Sequence, residues 1–478
     1  MKKSLLLGVL LVSTTASFSQ NLLGISTSQY GGTNRLYINP AFAADSKQEL
    51  YLNVFTGNAH VNNNYVRYQA PYSLMRLLTG TVPDQYRRAD GSVEFSAEYT
   101  KEMLDGKPKS GTLWGEVRGP AILMRTSPRS AIAVTSRFRA VGQVTGASES
   151  VLSAIRSGLG EGAPLGVPSV NNQINGNTNT YAELGFTYGG TLLEGDGRKL
   201  SLGVTAKVLL GYNAQHFINR GLDYQIVIDP NNPNSAILEV NRLNANLGYT
   251  TFLQNRNVGL RTLLSTASPG RGVGMDFGLS YVSQYDEDSP ALQLGLAVTD
   301  IGGLTYRGDE FDYTGIGQDQ NTVQFTSQDF NNLGGSVDIA RLIQNKLTTG
   351  RAPDRNSFRA GLPTSLNLTA DYRMPDGFGL NVTFLKDVRA VDATSIHQPT
   401  LFAVTPRYET RWVSLALPVA YLNRSLTAGL SARIGPAWLG SDNLLGLIGN
   451  SANGIRPRGL DIYGGVAFGF GGGRGDRE

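Results

Sequence analysis

One stretch constrains the fold more than any other. Lys199–Tyr212 reads K-L-S-L-G-V-T-A-K-V-L-L-G-Y. Leu200, Leu202, Val204, Ala206, Val208, Leu210 and Tyr212 share one parity. Lys199, Ser201, Gly203, Thr205, Lys207 and Gly211 share the other, with Leu209 as the single mismatch. Period two means a strand with one apolar face and one polar face. The apolar face outlasts the roughly 9–11 residues that a tilted transmembrane strand needs. Upstream, Leu184, Phe186 and Tyr188 alternate with Glu183, Gly185 and Thr187, and Glu194-Gly195-Asp196-Gly197 turns the chain. The result is a hairpin from Tyr181 to Tyr212, which suits a soluble sheet and a membrane barrel equally well.

Repetition decides between them. Ile132, Val134, Phe138 and Ala140 alternate with Thr135, Arg137 and Arg139. Val273, Met275, Phe277, Leu279 and Tyr281 alternate with Gly274, Asp276, Gly278 and Ser280. The pattern returns at Leu292–Val298, Leu366–Tyr372, Phe378–Phe384, Leu401–Tyr408, Trp412–Val419, Leu426–Ile434 and Leu460–Phe470. Tight turns at 126–129, 194–197, 286–290 and 374–377 join many of these into hairpins. The polar faces include Arg137, Arg139, Glu183, Lys207, Asp276, Asp371, Arg373, Arg433 and Asp461. A soluble barrel of this size has no use for so many interior charges, whereas a membrane barrel encloses water or a plug. The expected fold is all-β, a transmembrane antiparallel β-barrel of about 14–16 strands. Those nine residues are expected to line its lumen, with Glu183 and Lys207 inside. Short helices are expected in the long connections, at Ser73–Leu78, Ser148–Ser157 and Ser336–Leu347. The region Leu304–Pro363 otherwise reads as irregular.

The chain has 478 residues, 58 Gly and no Cys. Absence of Cys excludes a disulfide framework and thiolate metal sites. Glycine inside strand patterns leaves room on the lumen side for a plug. Net charge is +4 with scattered arginines, not the basic stripe that nucleic acid requires. Met1–Gln20 has the anatomy of a secretory leader: Lys2 and Lys3, then an apolar Leu5–Val12, then Ser17-Phe18-Ser19 at the cleavage position. No other run approaches a membrane helix, so spanning segments must be strands. The expected organisation is a signal peptide at 1–19, an N-terminal segment at 20–48, the barrel at 49–470 and a flexible tail at 471–478.

Two assignments stay open. Glu49–Phe55 and the run ending at Tyr68 read as one hairpin around Gly57–Asn58 or as one long strand. Leu222–Ile228 and Ala236–Tyr249, around D-P-N-N-P-N, read as a further hairpin. With 16 strands counted from either end, the tight turns fall outside and the long connections at 69–111, 147–178 and 304–362 fall inside. That inverts the usual arrangement of short periplasmic turns.

Y-I-N-P-A-F-A at Tyr37–Ala43 resembles the N-P-A motif of barrel proteins from Gram-negative bacteria with type IX secretion, the PorP/SprF-like membrane proteins. Together with G-P-A-W-L-G-S-D-N-L-L-G-L at Gly435–Leu447 and a Gly- and Phe-rich last strand, it is similar to a large barrel family of unknown function in those bacteria, distantly PorV- or FadL-like. The resemblance implies an outer membrane location and a link to type IX secretion. Read on its own, Asn39-Pro40-Ala41 is a short rigid turn suited to a plug or latch.

Catalytic chemistry is not legible. His60, His216 and His397 lack metal-ligand spacing, and no nucleophile or phosphate-binding motif is present. Asp286-Glu287-Asp288 reads as a solvated turn and Arg474-Gly475-Asp476 as a chance triplet. Tyr188, Tyr212, Tyr281, Tyr372, Trp412 and Trp438 fit interface girdles. The expected protein is a porin-like, non-enzymatic outer membrane barrel without cofactor or metal, acting in transport or as an envelope-complex scaffold. Its expected partners are outer membrane lipid and periplasmic or secretion-system proteins, with no nucleic acid. The alternatives are a barrel enzyme acting on lipid or peptide and a soluble exported β binding protein.

Overall fold

The computed structural model describes residues 22–93, 96–157, 165–230, 232–252, 267–286, 288–316, 322–330, 336–347 and 351–471. The leader, Glu287 and the Arg474-Gly475-Asp476 triplet lie outside these residues.

Fourteen antiparallel strands close into one barrel. They are β1 Leu50–Asn63, β2 Lys109–Arg118 continued by Ala121–Ser127, β3 Ser130–Ala147, β4 Asn175–Gly195, β5 Arg198–Asp229, β6 Gly270–Ser283 and β7 Ala291–Ile316. The second half comprises β8 Arg355–Gly361 with Ser365–Arg373, β9 Phe378–Asp387, β10 Leu401–Glu409, β11 Val413–Ala416 with Val419–Leu422, β12 Ser425–Ala428 with Leu430–Ile434, β13 Ala437–Ser441 and β14 Gly459–Phe470. The ring closes where β1 pairs with β14, Leu50 opposite Phe470 and Val61 opposite Leu460. Closure leaves no open edge, so the strands pair with neighbours on both sides all round the wall.

The alternation read in the sequence sets the two faces of the wall. Lys207 is 3% exposed and its neighbour Val208 51%; Asp276 is 1% exposed and Phe277 42%. Exposed apolar side chains cover the outside all the way round, among them Ile132, Phe186, Leu294, Leu380, Leu415 and Phe468. An apolar exterior on a closed barrel is a lipid-facing surface. The chain is therefore a transmembrane barrel of the outer membrane, and the soluble reading falls. Tyr188, Tyr281, Tyr372 and Trp412 lie on the outer face near the end of the tight turns, and the rings of Phe378 and Tyr408 meet there at 5.1 Å. Tyr212 and Trp438 are corrections to the girdle. Tyr212 is buried in mid-strand, at a bulge opposite Thr180 and Tyr181, and Trp438 is buried among residues of the N-terminal segment.

Leu50–Asn63 is one strand, not a hairpin, and starts at the same end as the tight turns and Phe470. Leu222–Ile228 is not a separate strand either. It is the far part of β5, which runs for 32 residues, about three times the length a tilted membrane strand needs. Asn232–Tyr249 folds back on it and on the far part of β7, so it is a projecting arm beyond the barrel proper. The first of these corrections, together with a strand at Ala437–Ser441 that the sequence reading left uncounted, removes the inversion. Both barrel termini and the tight turns at 126–129, 194–197, 286–290 and 374–377 share one end, and the long connections share the other, where the two-residue turn Asn423-Arg424 between β11 and β12 is the exception. By the usual asymmetry the first is periplasmic and the second extracellular. The supposedly irregular stretch after Leu304 begins as strand, since β7 continues to Ile316. The expected helices are present at Leu74–Leu78, Glu149–Ser157 and Ser336–Leu347.

Candidate functional site: a filled lumen

The barrel interior is occupied by the chain's own N-terminal segment. Residues 22–48 descend through it as two short helical turns, Leu23–Ser26 and Thr33–Leu36, and a 3-10 turn, Pro40–Ala43. Nearly all of this segment is buried, Leu22 and Ala41 completely. Asn39 and Pro40 make the 3-10 turn for local reasons. The Asn39 side chain accepts from the Ala41 amide at 2.9 Å, and Pro40 occupies the first helical position, where no amide donor is missed. The Asn39 side-chain Nδ2 donates to the Leu279 carbonyl at 2.9 Å, on β6. The wall makes room for this turn with glycines. A Cβ on Gly203 would overlap Pro40 and Ala41, one on Gly278 would overlap Asn39, and one on Gly189 would lie 2.8 Å from the Ala43 Cβ.

Contacts from the segment reach strands right round the ring. Ser28 donates to the Glu409 carboxylate, and Arg407 donates to the Thr27 carbonyl at 2.6 Å. Arg35 donates to Gln293 at 3.1 Å, and Asn367 donates to the Ile38 carbonyl at 2.9 Å. Lys199 donates to the Ala44 carbonyl at 2.9 Å and pairs with Asp45 at 3.0 Å. The Leu23 amide donates to Asp442 at 2.9 Å. Tyr37 lies between two guanidinium groups, Arg118 at 4.4 Å and Arg137 at 4.3 Å from its ring centre. Desolvated cation–π contacts of this kind are each worth about 2 kcal/mol.

The nine charged residues expected in the lumen fall into four places. Arg137, Arg139, Glu183, Lys207 and Asp276 converge in one network. Arg137 pairs with Glu183 at 2.7 Å and Lys207 with Asp276 at 2.7 Å. Asp371 pairs with Arg407 at 2.6 Å and Arg373 at 3.3 Å in a second group. Asp461 meets His60 at 3.3 Å and accepts from the Asp442 amide at 2.7 Å. Arg433 stands apart, donating to the Thr410 carbonyl at 2.7 Å with its guanidinium over the Tyr30 ring.

Sequence reasoning missed the centre of the first network, Asp300. It receives Lys207 at 2.6 Å and Arg139 at 2.7 Å, and its amide donates to Asp276 at 2.6 Å. Strict alternation places position 300 on the lipid face with Leu292 to Val298. A β-bulge opposite Asp276, with Asp300 at φ 56°, turns it inward and reverses the parity beyond it. Glu116 and Arg118 were missed because the wall face switches at Gly119-Pro120, so the run Leu113–Arg125 carries no single alternation. Arg407 and Glu409 were findable, since they alternate with Phe402, Val404 and Tyr408. The completed network sets Arg118, Arg137, Arg139 and Lys207 against Glu116, Glu183, Asp276 and Asp300. Four cations balance four anions, as full burial requires. The histidines stay apart, each beside a different carboxylate: His60 by Asp461, His216 by Glu310 and His397 by Asp387. Among the described residues no group of three or more potential metal ligands forms.

The sequence matches the profile of a family described as a family of unknown function (DUF5723) over residues 40–442. No curated protein matches it. Among solved structures, a Pseudomonas aeruginosa FadL homologue aligns over 96% of this chain and all of its own, at 13% identity and a TM-score of 0.40. The Ralstonia pickettii toluene transporter TbuX aligns over 94% of this chain and 98% of its own, at 8% identity and a TM-score of 0.38. At these values neither likeness extends to cargo or activity.

Proposed function

We propose a function for a chain that belongs to DUF5723, a family of unknown function: it is an outer membrane conduit that rests closed, with its own N-terminal segment as the plug. One observation carries this reading. Among the described residues, the N-terminal segment that fills the barrel, 22–48, is contiguous, carries no strand and runs into the wall at β1. It can leave without breaking a single strand pairing. The wall it would uncover holds paired charges and amides, such as Arg137, Glu183, Asn58 and Asn62. That lining favours water and polar solutes over lipid. The link to type IX secretion and the scaffold role rest on the resemblance of the N-P-A motif. Asn39 and Pro40 are engaged inside the barrel, which supports a plug more directly than a docking motif. We read the chain as non-enzymatic, because among the described residues neither His60 nor His397 holds a Ser or Thr hydroxyl.

Planar-bilayer recording tests the conduit. The intact chain is expected to be silent or nearly so, and Gly203→Leu with Gly278→Leu, which pushes the plug off its seat, to conduct. Silence of both that persists when residues 388–400 are also replaced by a Gly-Ser linker, with correct folding shown by heat-modifiable gel migration, would sink the conduit. Crosslinking in cell envelopes that traps a secretion component on residues 37–43 would favour the scaffold instead.

A further inference from the structure

The lumen has a second closure, at its extracellular mouth and from a different part of the chain. The connection between β9 and β10, residues 388–400, does not loop away from the barrel. Ser395, Ile396, His397 and Gln398 are all buried, while Val388 and Val391 at its start are more than half exposed. The buried part reaches β2 and β3. The His397 amide donates to the Gln143 side chain at 2.8 Å, and the Gln143 side chain donates back to the His397 carbonyl at 2.8 Å. Ile396 packs with Trp114 and Val141. Gln143 lies on the third strand of the ring, and the connection springs from the ninth and tenth. In a ring of fourteen these are opposite walls, so the segment crosses the extracellular mouth as a strap.

The strap is fastened on its near side as well. Arg389 donates to the Gly302 carbonyl at 2.7 Å and the Leu362 carbonyl at 3.2 Å. The Gly361 amide donates to the Thr394 carbonyl at 2.9 Å. His397 holds Asp387 at 2.6 Å, bringing the far end back to the strap's own root. Beside Ile396 the residual cavity is about 10 Å3, room for one water at most. Release of the N-terminal plug would therefore open the lumen only while the strap is unfastened. The walls differ in a way that makes a strap useful. β9 and β10 have 10 and 9 residues, while β3 opposite has 18.

We infer that residues 388–400 form an outer gate, independent of the N-terminal plug, latched across the mouth by the reciprocal hydrogen bonds between His397 and Gln143. This rests on the conduit reading, and the experiment separates the two. The chain has no cysteine, so Val141→Cys with Ile396→Cys creates one crosslinkable pair. The pair is placed in the full-length Gly203→Leu, Gly278→Leu background and recorded in planar bilayers. Conductance is expected to be absent when the pair is oxidised and to appear on reduction. Equal conductance in both forms, with the crosslink confirmed by gel, overturns the gate and leaves the conduit standing. Silence in both forms, and also when residues 388–400 are replaced by a Gly-Ser linker in that background, overturns the conduit and the gate together. A second measurement needs no plug variant. A single Ile396→Cys is expected to react slowly with a membrane-impermeant maleimide. Adding Gln143→Ala is expected to speed it about ten-fold, as the loss of two hydrogen bonds predicts. Equal rates overturn the latch.

Discussion

The two closures of this barrel are built on different principles. The inner one is a 27-residue segment (22–48) that runs through the lumen, held by ion pairs, cation–π contacts and a glycine-shaped seat on many strands. The extracellular one is a 13-residue strap (388–400) held by a few hydrogen bonds, one arginine, the His397–Asp387 contact and the packing of Ile396. The first is bound to the wall much as a core is bound to a fold. The second is bound as a lid is, through contacts that are individually worth about 1 kcal/mol net. The comparison teaches that a barrel too wide to fill with its own wall side chains can close its ends with unequal strength, so that one end opens more readily.

The largest effect should come from the charged layer beneath the plug. Lys207→Met leaves Asp276 and Asp300 buried without their shared cation, which should cost about 3–5 kcal/mol. A fall in the temperature at which the barrel unfolds in heat-modifiable gels measures it. A shift no larger than that of an exposed substitution would mean the network is hydrated and not structural. Next is the plug itself. Tyr37→Leu keeps the apolar bulk but removes both guanidinium contacts, so the segment should loosen by about 2–4 kcal/mol. Limited proteolysis within residues 22–48 should then accelerate while the barrel stays resistant. Unchanged cleavage would place the holding force elsewhere.

The strap should respond less. Arg389→Gln removes the two donors to Gly302 and Leu362 and should cost about 1–3 kcal/mol, felt as faster amide exchange at 394–398 with no change at 22–48. Equal acceleration in both segments would show that the closures are coupled, against the comparison drawn here. The smallest effect belongs to the surface. Arg129 and Glu194 pair at 3.6 Å in adjoining periplasmic turns, both half-exposed, and Glu194→Gln should change stability by less than about 1 kcal/mol.

How much of this was legible in the sequence follows from which forces are local. Alternation at Leu200–Val208 and Val273–Tyr281 announced strands, faces and a membrane barrel, because strand parity is a backbone property and lipid demands an apolar side. The Ser73, Ser148 and Ser336 helices were visible for similar reasons. Asn39-Pro40-Ala41 announced a turn. What it seats against was invisible, since Gly203, Gly278 and Gly189 are brought to it only by ring closure.

The sequence by itself therefore determined that this chain forms an all-β membrane barrel with charges inside it. Only the tertiary structure decided the strand number, the orientation and the filling of the lumen. A bulge at Asp300 and a face switch at Gly119-Pro120 each break the parity count, and a single period-two frame carried across them misplaces the residues beyond. The two closures depend on contacts between residues hundreds of positions apart, Leu23 with Asp442 and Gln143 with His397. Such pairs are set by the circumference and stagger of the closed ring, which no single strand encodes.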